Sequence, residues 1–163
     1  QELVEKYATE CAMPYVNERW LGGTLTNYKE IQKLVKEYLD LKEKRDKGEL
    51  KKYTKYEQLQ LTRKIEELDG KIGGITTMKK VPQAMLVLDM RVDKTAVLEA
   101  RNTGVKVIGI CDTNINPGLA DFPIPANDDA IGSLMLISRM FADAVKAGKT
   151  RAKAAPAPTP KKK

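Results

Sequence analysis

The sequence predicts an α/β protein with a parallel sheet flanked by helices and a protruding antiparallel helical hairpin inserted into it. The sheet follows from two short apolar runs, 84–88 (AMLVL) and 105–111 (VKVIGIC), which lie on either side of a helical pattern. Strand–helix–strand units with wholly apolar strands are typical of parallel sheets covered by helices. The hairpin follows from residues 29–80, where apolar residues recur at helical spacing among many charges.

Three regions are expected. The α/β domain comprises residues 1–28 and 81–147, the hairpin residues 29–80, and a disordered basic tail residues 148–163. The tail is rich in alanine, proline and lysine, a composition that cannot bury a core. The chain begins with Gln1 inside a helix-like stretch, so we expect the N-terminal part of the protein to be missing from this sequence.

The first region begins with helical spacing over residues 1–11. Met13–Val16 is predicted to form a short strand that opens at Pro14. Asn17–Asn27 then reads as a turn-rich connection around the Gly22-Gly23 pair.

The hairpin is predicted from two amphipathic stretches. The first begins near Tyr28, and Asn27 is positioned to cap it. The pattern dissolves around Gly48, and Thr54 with Glu57 then forms the capping box of a second helix. The apolar residues expected to face each other across the hairpin are Ile31, Leu34, Val35, Tyr38 and Leu41 on the first helix and Leu61, Ile65, Leu68 and Ile72 on the second.

The C-terminal half continues the α/β pattern. A helix over 93–103 should end at Gly104, a residue type favoured just beyond helix ends. Phe122–Ile124 is a short edge-like strand between prolines, and Asn127 and Asp128 are the expected caps of a final helix. That helix should bury one side, formed by Leu134, Ile137, Phe141 and Val145.

Composition restricts the function. The chain has a net charge of +7, and residues 29–80 contain fifteen Lys and Arg against ten Asp and Glu. The chain has no histidine, the commonest general base, and no glycine-rich phosphate loop. No apolar run approaches the roughly 18 residues that span a bilayer. The two cysteines, far apart in sequence, favour reduced thiols in a cytoplasmic protein.

Acidic residues follow the predicted strands. Asp89, Asp112 and Asp128 fall at or beyond strand ends, the edge of an α/β sheet where ligands bind. They could hold Mg²⁺ or perform acid–base chemistry in an enzyme. The favoured alternative is that they accept hydrogen bonds from loop amides or cap helices.

A second candidate site is the segment Arg19-Trp20-Leu21-Gly22-Gly23. Backbone amides freed at Gly22-Gly23, near a helix start, could bind a phosphate that Arg19 also contacts. The alternative is a turn with Trp20 packed beneath it.

The hairpin cations are the third candidate. Lysines along an exposed hairpin can follow a phosphate backbone without reading bases. Two alternatives remain open at this point: a solvated face in which acids alternate with the lysines, or an apolar seam that binds a partner helix.

Two long segments resemble the signatures of the bacterial ribosomal protein S-two family. They are MPYVNERWLGGTLTNYKEI (13–31) and DTNINPGLADFPIPANDDAI (112–131), and VPQAMLVLD (81–89) comes in the family order between them. The resemblance covers essentially residues 1–147. The sequence departs from the family pattern at Gln83, Gly118 and Ala126, which puts any shared role of those side chains in doubt.

The resemblance implies a Rossmann-like, flavodoxin-type domain with a protruding helical hairpin, and an N-terminal portion ahead of Gln1. It also implies a structural, non-enzymatic protein that binds small-subunit ribosomal RNA and neighbouring ribosomal proteins, and that helps to anchor protein S-one. The expected location is the cytoplasmic bacterial ribosome, with an organellar ribosome as the alternative. No cofactor, metal site, membrane, small-molecule substrate or homo-oligomer is expected, and Mg²⁺ would arrive only with the RNA.

The residues expected to contact RNA lie in the Arg19–Gly23 segment, at the start of the hairpin and along its two helices. They are Arg19, Trp20, Gly22, Gly23, Thr24, Asn27, Lys29, Lys33, Lys36, Lys44, Arg45, Lys51, Lys52, Lys55, Arg63 and Lys64.

Overall fold

The structure, a computed structural model, describes residues 2–154, without the side chains of residues 153 and 154. A three-stranded sheet is formed by β1 (Ala84–Val87), β2 (Lys106–Cys111) and β3 (Phe122–Pro125). The strands pair in the order β1-β2-β3, and both pairings are parallel. The predicted α/β class with a parallel sheet flanked by helices is therefore confirmed.

Helix α4 (Lys94–Thr103) connects β1 to β2 and packs on the sheet. Its Val97 and Ala100 join Val87 and Val107 in a buried cluster that also takes in Leu25, from the turn-rich connection. Gly104 has a φ of 74° and ends α4 in the left-handed conformation that glycine adopts without strain. Since Leu25 belongs to this core, the turn-rich connection packs against the α/β domain, which we call the body.

Helices α2 (Tyr28–Asp46) and α3 (Lys55–Ile72) pack against each other and enclose a second buried cluster. Its fully or nearly buried members are Ile31, Tyr38, Ile65, Leu68, Ile72 and Ile75. The seam is closed between the chain's own helices, so the interpretation of it as a binding site for a partner helix is wrong. That the α2–α3 pair protrudes as a hairpin stays a prediction.

Helix α1 (Glu2–Glu10) contacts α5 (Ile131–Ala154). Lys149 donates hydrogen bonds to the carbonyl oxygens of Cys11 and Ala12, at 2.6 and 3.1 Å, just beyond the end of α1. Because α5 continues to Ala154, the prediction of disorder is wrong for residues 148–154, whose alanines and lysines are good helix formers. Residues 155–163 of the predicted tail lie outside the described residues.

The predicted strand at Met13–Val16 is wrong. This segment is irregular, because Pro14 has no amide to donate and Tyr15 pairs with the carbonyl of Gly74 (3.0 Å) instead of with a strand. The predicted inner side of α5, which includes Leu134 and Phe141, is half-buried.

Within residues 2–154, no helix is both long and apolar enough to cross a membrane.

Candidate nucleic-acid interface

The Trp20–Thr26 segment wraps around a single carboxylate, that of Glu99 on α4. One oxygen of Glu99 accepts hydrogen bonds from the Trp20 indole (3.2 Å) and the Gly23 amide (2.7 Å). Its other oxygen accepts bonds from the Leu25 amide (2.9 Å) and from the Thr26 amide (3.2 Å) and hydroxyl (3.3 Å). Glu99 is only 7% exposed, so these five donors replace the water that it would otherwise bind.

The electrostatics of Glu99 follow from this arrangement. Burial raises the pKa of its carboxyl, but the hydrogen bonds from Leu25, Gly23, Thr26 and Trp20 outweigh burial and lower the pKa overall. Glu99 is therefore held as a carboxylate, which is the form that five donors require.

The contacts of Glu99 bear on the predicted phosphate site at the backbone amides of Gly22-Gly23. The Gly23 amide is already bonded to the chain's own anion, so it cannot also bind a phosphate. Thr24 is 2% exposed and its hydroxyl donates to the Leu21 carbonyl (2.5 Å), so its side chain faces inward. Trp20 is half-buried and packs on the sheet core, as the alternative interpretation proposed. The Trp20 indole N–H, the Gly23 amide and the Thr24 hydroxyl are thus all used in hydrogen bonds within the fold.

The remaining predicted residues of this region face outward. Arg19, Gly22, Asn27 and Lys29 are exposed. Asn27 occupies the N-cap position of α2, but its side chain makes no capping hydrogen bond, which corrects the predicted cap. The backbone carbonyl of Asn27 accepts the amides of Glu30 and Ile31 instead.

The helix pair divides its cations into two groups. Several are neutralised locally: Lys33 lies 2.8 Å from Glu30, Arg45 3.1 Å from Asp46, and Lys64 2.5 Å from Glu37. Others are exposed and have no carboxylate within 4.0 Å among the described residues. We call these the unpaired cations, and they are Lys29, Lys36, Lys44, Lys51, Lys52, Lys55 and Arg63.

Both helices are anchored by polar contacts. At the start of α3, the Thr54 hydroxyl accepts the Glu57 amide, while the Glu57 carboxylate accepts the Thr54 amide and hydroxyl, each at 2.9 Å. Between the helices, the buried Tyr38 hydroxyl donates to Asp69 and accepts from Lys42 at 3.0 Å. Burial and the Asp69 carboxylate raise the pKa of Tyr38. These contacts hold α2 against α3 and fix the start of α3.

The strand-end acids are occupied by loop contacts. Asp89 accepts the amides of Arg91 (2.9 Å) and Val92 (2.8 Å), and Asp112 accepts the amide of Thr113 (2.6 Å). Before α5, Asn127 accepts the amides of Asp129 and Ala130, each at 2.8 Å. Across residues 2–154, no three or more Asp, Glu, Cys or His side chains are placed to hold a metal ion. Asp89 and Asp112 thus accept hydrogen bonds from loop amides, as the favoured alternative proposed.

The pKa of Asp128 is raised by its surroundings. Burial raises the pKa of its carboxyl most, and the charges of Asp89, Asp129 and Asp112 raise it further. This edge of the sheet is thus a concentrated negative region, opposite in sign to the α2–α3 pair.

Sequence reasoning missed Glu99 because its partners lie 73 to 79 residues away along the chain. The available signal was a lone acid in an apolar helix pattern, at a position where a sheet-facing helix should bury its side chain. Such a residue needs buried donors, and a glycine-rich turn is a common source of them.

Fold and site together define an α/β protein that carries a cationic helix pair. Comparison with known proteins agrees, since the family described as Ribosomal protein S2 matches residues 1–148. The chain belongs to the ribosomal protein S2 family. This confirms the resemblance seen in the sequence motifs.

Several bacterial relatives carry the name Small ribosomal subunit protein uS2. The protein of Aliarcobacter butzleri is 47% identical over 148 residues, which cover 91% of this chain and 56% of that protein. That of Francisella tularensis subsp. novicida is 45% identical over 145 residues, covering 89% and 61%. That of Wolinella succinogenes is 43% identical over 151 residues, covering 93% and 56%. The chain thus spans somewhat over half the length of these relatives.

Proposed function

We propose that this chain is a structural constituent of the small ribosomal subunit that binds small-subunit ribosomal RNA and is not an enzyme. The observation that carries the proposal is the set of unpaired cations on α2, α3 and their connection. Cations without an internal partner can neutralise phosphates at no cost in broken ion pairs. Family membership and relatives named as small-subunit proteins support the same role.

The RNA-binding surface that we propose is narrower than the one predicted from sequence. It consists of the unpaired cations together with the exposed residues Arg19, Gly22 and Asn27. The paired cations would first have to break their ion pairs, which are Lys33–Glu30, Arg45–Asp46 and Lys64–Glu37. Their contribution to RNA affinity should be smaller.

The acidic strand-end edge of the body is suited to protein neighbours and not to RNA. Neighbouring small-subunit proteins, protein S-one among them, are the proposed partners there, and the chain acts as a single copy. Its location would be the bacterial ribosome, or an organellar ribosome. The proposal includes no cofactor, small-molecule substrate or membrane.

Salt dependence tests the proposal. The variant Lys51→Gln/Lys52→Gln/Lys55→Gln removes three unpaired cations, and Lys33→Gln/Lys47→Gln/Lys71→Gln removes three ion-paired ones. Each lost phosphate contact reduces the slope of log K against log salt by about 0.7 to 0.9. The first variant should flatten the slope by about 2 to 3 for small-subunit ribosomal RNA, and the second by clearly less. Equal slopes for the two variants would refute the assignment.

A further inference from the structure

The connection between α2 and α3 presents two tyrosines to solvent. Tyr53 is 48% exposed and Tyr56 is 71% exposed. Other tyrosines of the helix pair are engaged: Tyr38 is 1% exposed, and the Tyr28 hydroxyl donates to the Met78 carbonyl at 2.5 Å. Tyr53 and Tyr56 therefore offer aromatic faces that the core does not use.

The backbone that carries these tyrosines is well anchored. Gly48, with a φ of 72°, reverses the chain after α2, and a short 3-10 helix over Glu49–Lys52 follows. Leu50 of this turn is only 8% exposed, because the connection packs against α2. Tyr53 is extended, and Tyr56 lies in the first turn of α3, next to the Thr54 capping box. The backbone at both tyrosines is thus held in place, while their rings are exposed.

Three unpaired cations, Lys51, Lys52 and Lys55, alternate with these rings in the sequence KKYTKY. The Glu57 carboxylate is turned to Thr54 and does not neutralise them, which leaves Glu49 as the neighbouring acid. In the described part of the chain, cation–π contacts join Lys6 to Tyr7 and Lys42 to Tyr38. The Tyr53 and Tyr56 rings are therefore not covered by their neighbouring lysines.

We propose that this tyrosine–lysine surface, comprising Lys51, Lys52, Tyr53, Lys55 and Tyr56, binds single-stranded RNA. Unstacked bases lie on the two rings while the lysines neutralise the adjoining phosphates. Base–aromatic stacking beside a positive surface is the general mode of single-strand recognition. Tyrosine is enriched at protein–protein interfaces as well, but lysine is depleted there, so the three lysines favour RNA over a protein partner.

This inference rests on the proposed RNA-binding function and adds the class of RNA to it. Lysines alone would bind any phosphate backbone, duplex included. Exposed rings add a preference for segments whose bases are free to stack, such as loops and bulges.

The test uses the full chain and a fluorescent, unstructured ten-nucleotide RNA, with small-subunit ribosomal RNA measured in parallel. Tyr56→Leu keeps an apolar side chain but removes the aromatic face, so the affinity for the short RNA should fall at least about fivefold. Tyr56→Phe keeps the ring and should bind as the unmodified chain does. Leu39→Ala, a control at a 45% exposed leucine of α2, should change nothing. Because all these positions are exposed, unchanged thermal unfolding would show that the variants fold.

The salt slope separates stacking from charge. Tyr56→Leu should weaken binding without changing the slope, whereas Lys55→Gln should reduce the slope by about 0.7. Equal affinities of Tyr56→Leu and Tyr56→Phe would overturn the inference. So would an unmodified chain that binds ribosomal RNA but not the short RNA, or a Tyr56→Leu variant that loses only a neighbouring protein in reconstituted subunits. An unmodified chain that binds neither RNA would instead overturn the proposed function itself.

Discussion

The carboxylate of Glu99 accepts five hydrogen bonds from the Trp20–Thr26 segment, and Glu99→Gln perturbs them with little change in side-chain shape. A glutamine side chain keeps one oxygen but replaces the other with an NH₂ group. In either orientation that group faces two N–H donors, those of Trp20 and Gly23 or those of Leu25 and Thr26.

The magnitude follows from those contacts. A hydrogen bond to a charged acceptor contributes about 1.5 to 3 kcal/mol. Two such bonds are lost in Glu99→Gln, and the loosened turn recovers part of the loss by hydration. We expect the free energy of unfolding to fall by about 3 kcal/mol, a large part of the roughly 5 to 15 kcal/mol typical of a domain.

Urea unfolding followed by two signals measures this effect. Circular dichroism reports the whole fold, and the fluorescence of Trp20, the single tryptophan, reports the turn. The matched control is Glu66→Gln, at an exposed glutamate of α3, which should change stability by no more than about 0.5 kcal/mol. If Glu99→Gln and Glu66→Gln unfold at the same urea concentration, the reasoning about Glu99 is refuted.

Three further predictions concern stability. Folding lowers the pKa of Glu99, so its carboxylate stabilises the fold above the unfolded pKa of about 4.3. This contribution to stability is lost as the pH falls through the folded pKa. Acid should therefore reduce the stability of Glu99→Gln less than that of the unmodified chain. Thr54→Ala removes the α3 cap and should cost about 1 kcal/mol in thermal unfolding. A Cβ on Gly74 would overlap the Tyr15 carbonyl oxygen, so Gly74→Ala should destabilise the fold, whereas Gly148→Ala, with open space in α5, should stabilise it by about 0.5 kcal/mol. Opposite signs in either glycine variant, or no cost at Thr54, would contradict these assignments.

The elements that sequence reasoning located well are those whose signal is local. The apolar runs of β1 and β2, the Gly104 end of α4 and the start of α3 all depend on residues within one or two turns. Glycine conformation, capping and burial of a whole strand act over that range, so the spacing predicts them directly.

The misjudged elements depend on distant partners. Met13–Val16 has the composition of a strand, but no strand within residues 2–154 pairs with it. Residues 148–154 look like a disordered tail, yet Lys149 bonds to carbonyl groups of residues 11 and 12. A pattern along the chain carries no information about which backbone groups lie opposite.

The candidate site shows the same division. The sequence indicated where the cations are, but not which of them have carboxylate neighbours. Lys64 pairs with Glu37 across the helix pair, whereas Lys55 has no carboxylate within 4.0 Å in the described residues. The turn amides looked free because Glu99, which binds them, is remote in sequence. Charge counts predict the sign of a surface, and only the fold selects the side chains that remain available.

Site-specific photo-crosslinking in assembled small subunits tests directly whether the unpaired cations of the helix pair contact ribosomal RNA. A photoreactive residue at Lys55, an unpaired cation, is compared with one at Val92, which is 73% exposed beside the acidic strand-end edge. We expect position 55 to crosslink to small-subunit ribosomal RNA and position 92 to crosslink to protein. Crosslinks to RNA from position 92 together with none from position 55 would contradict this expectation.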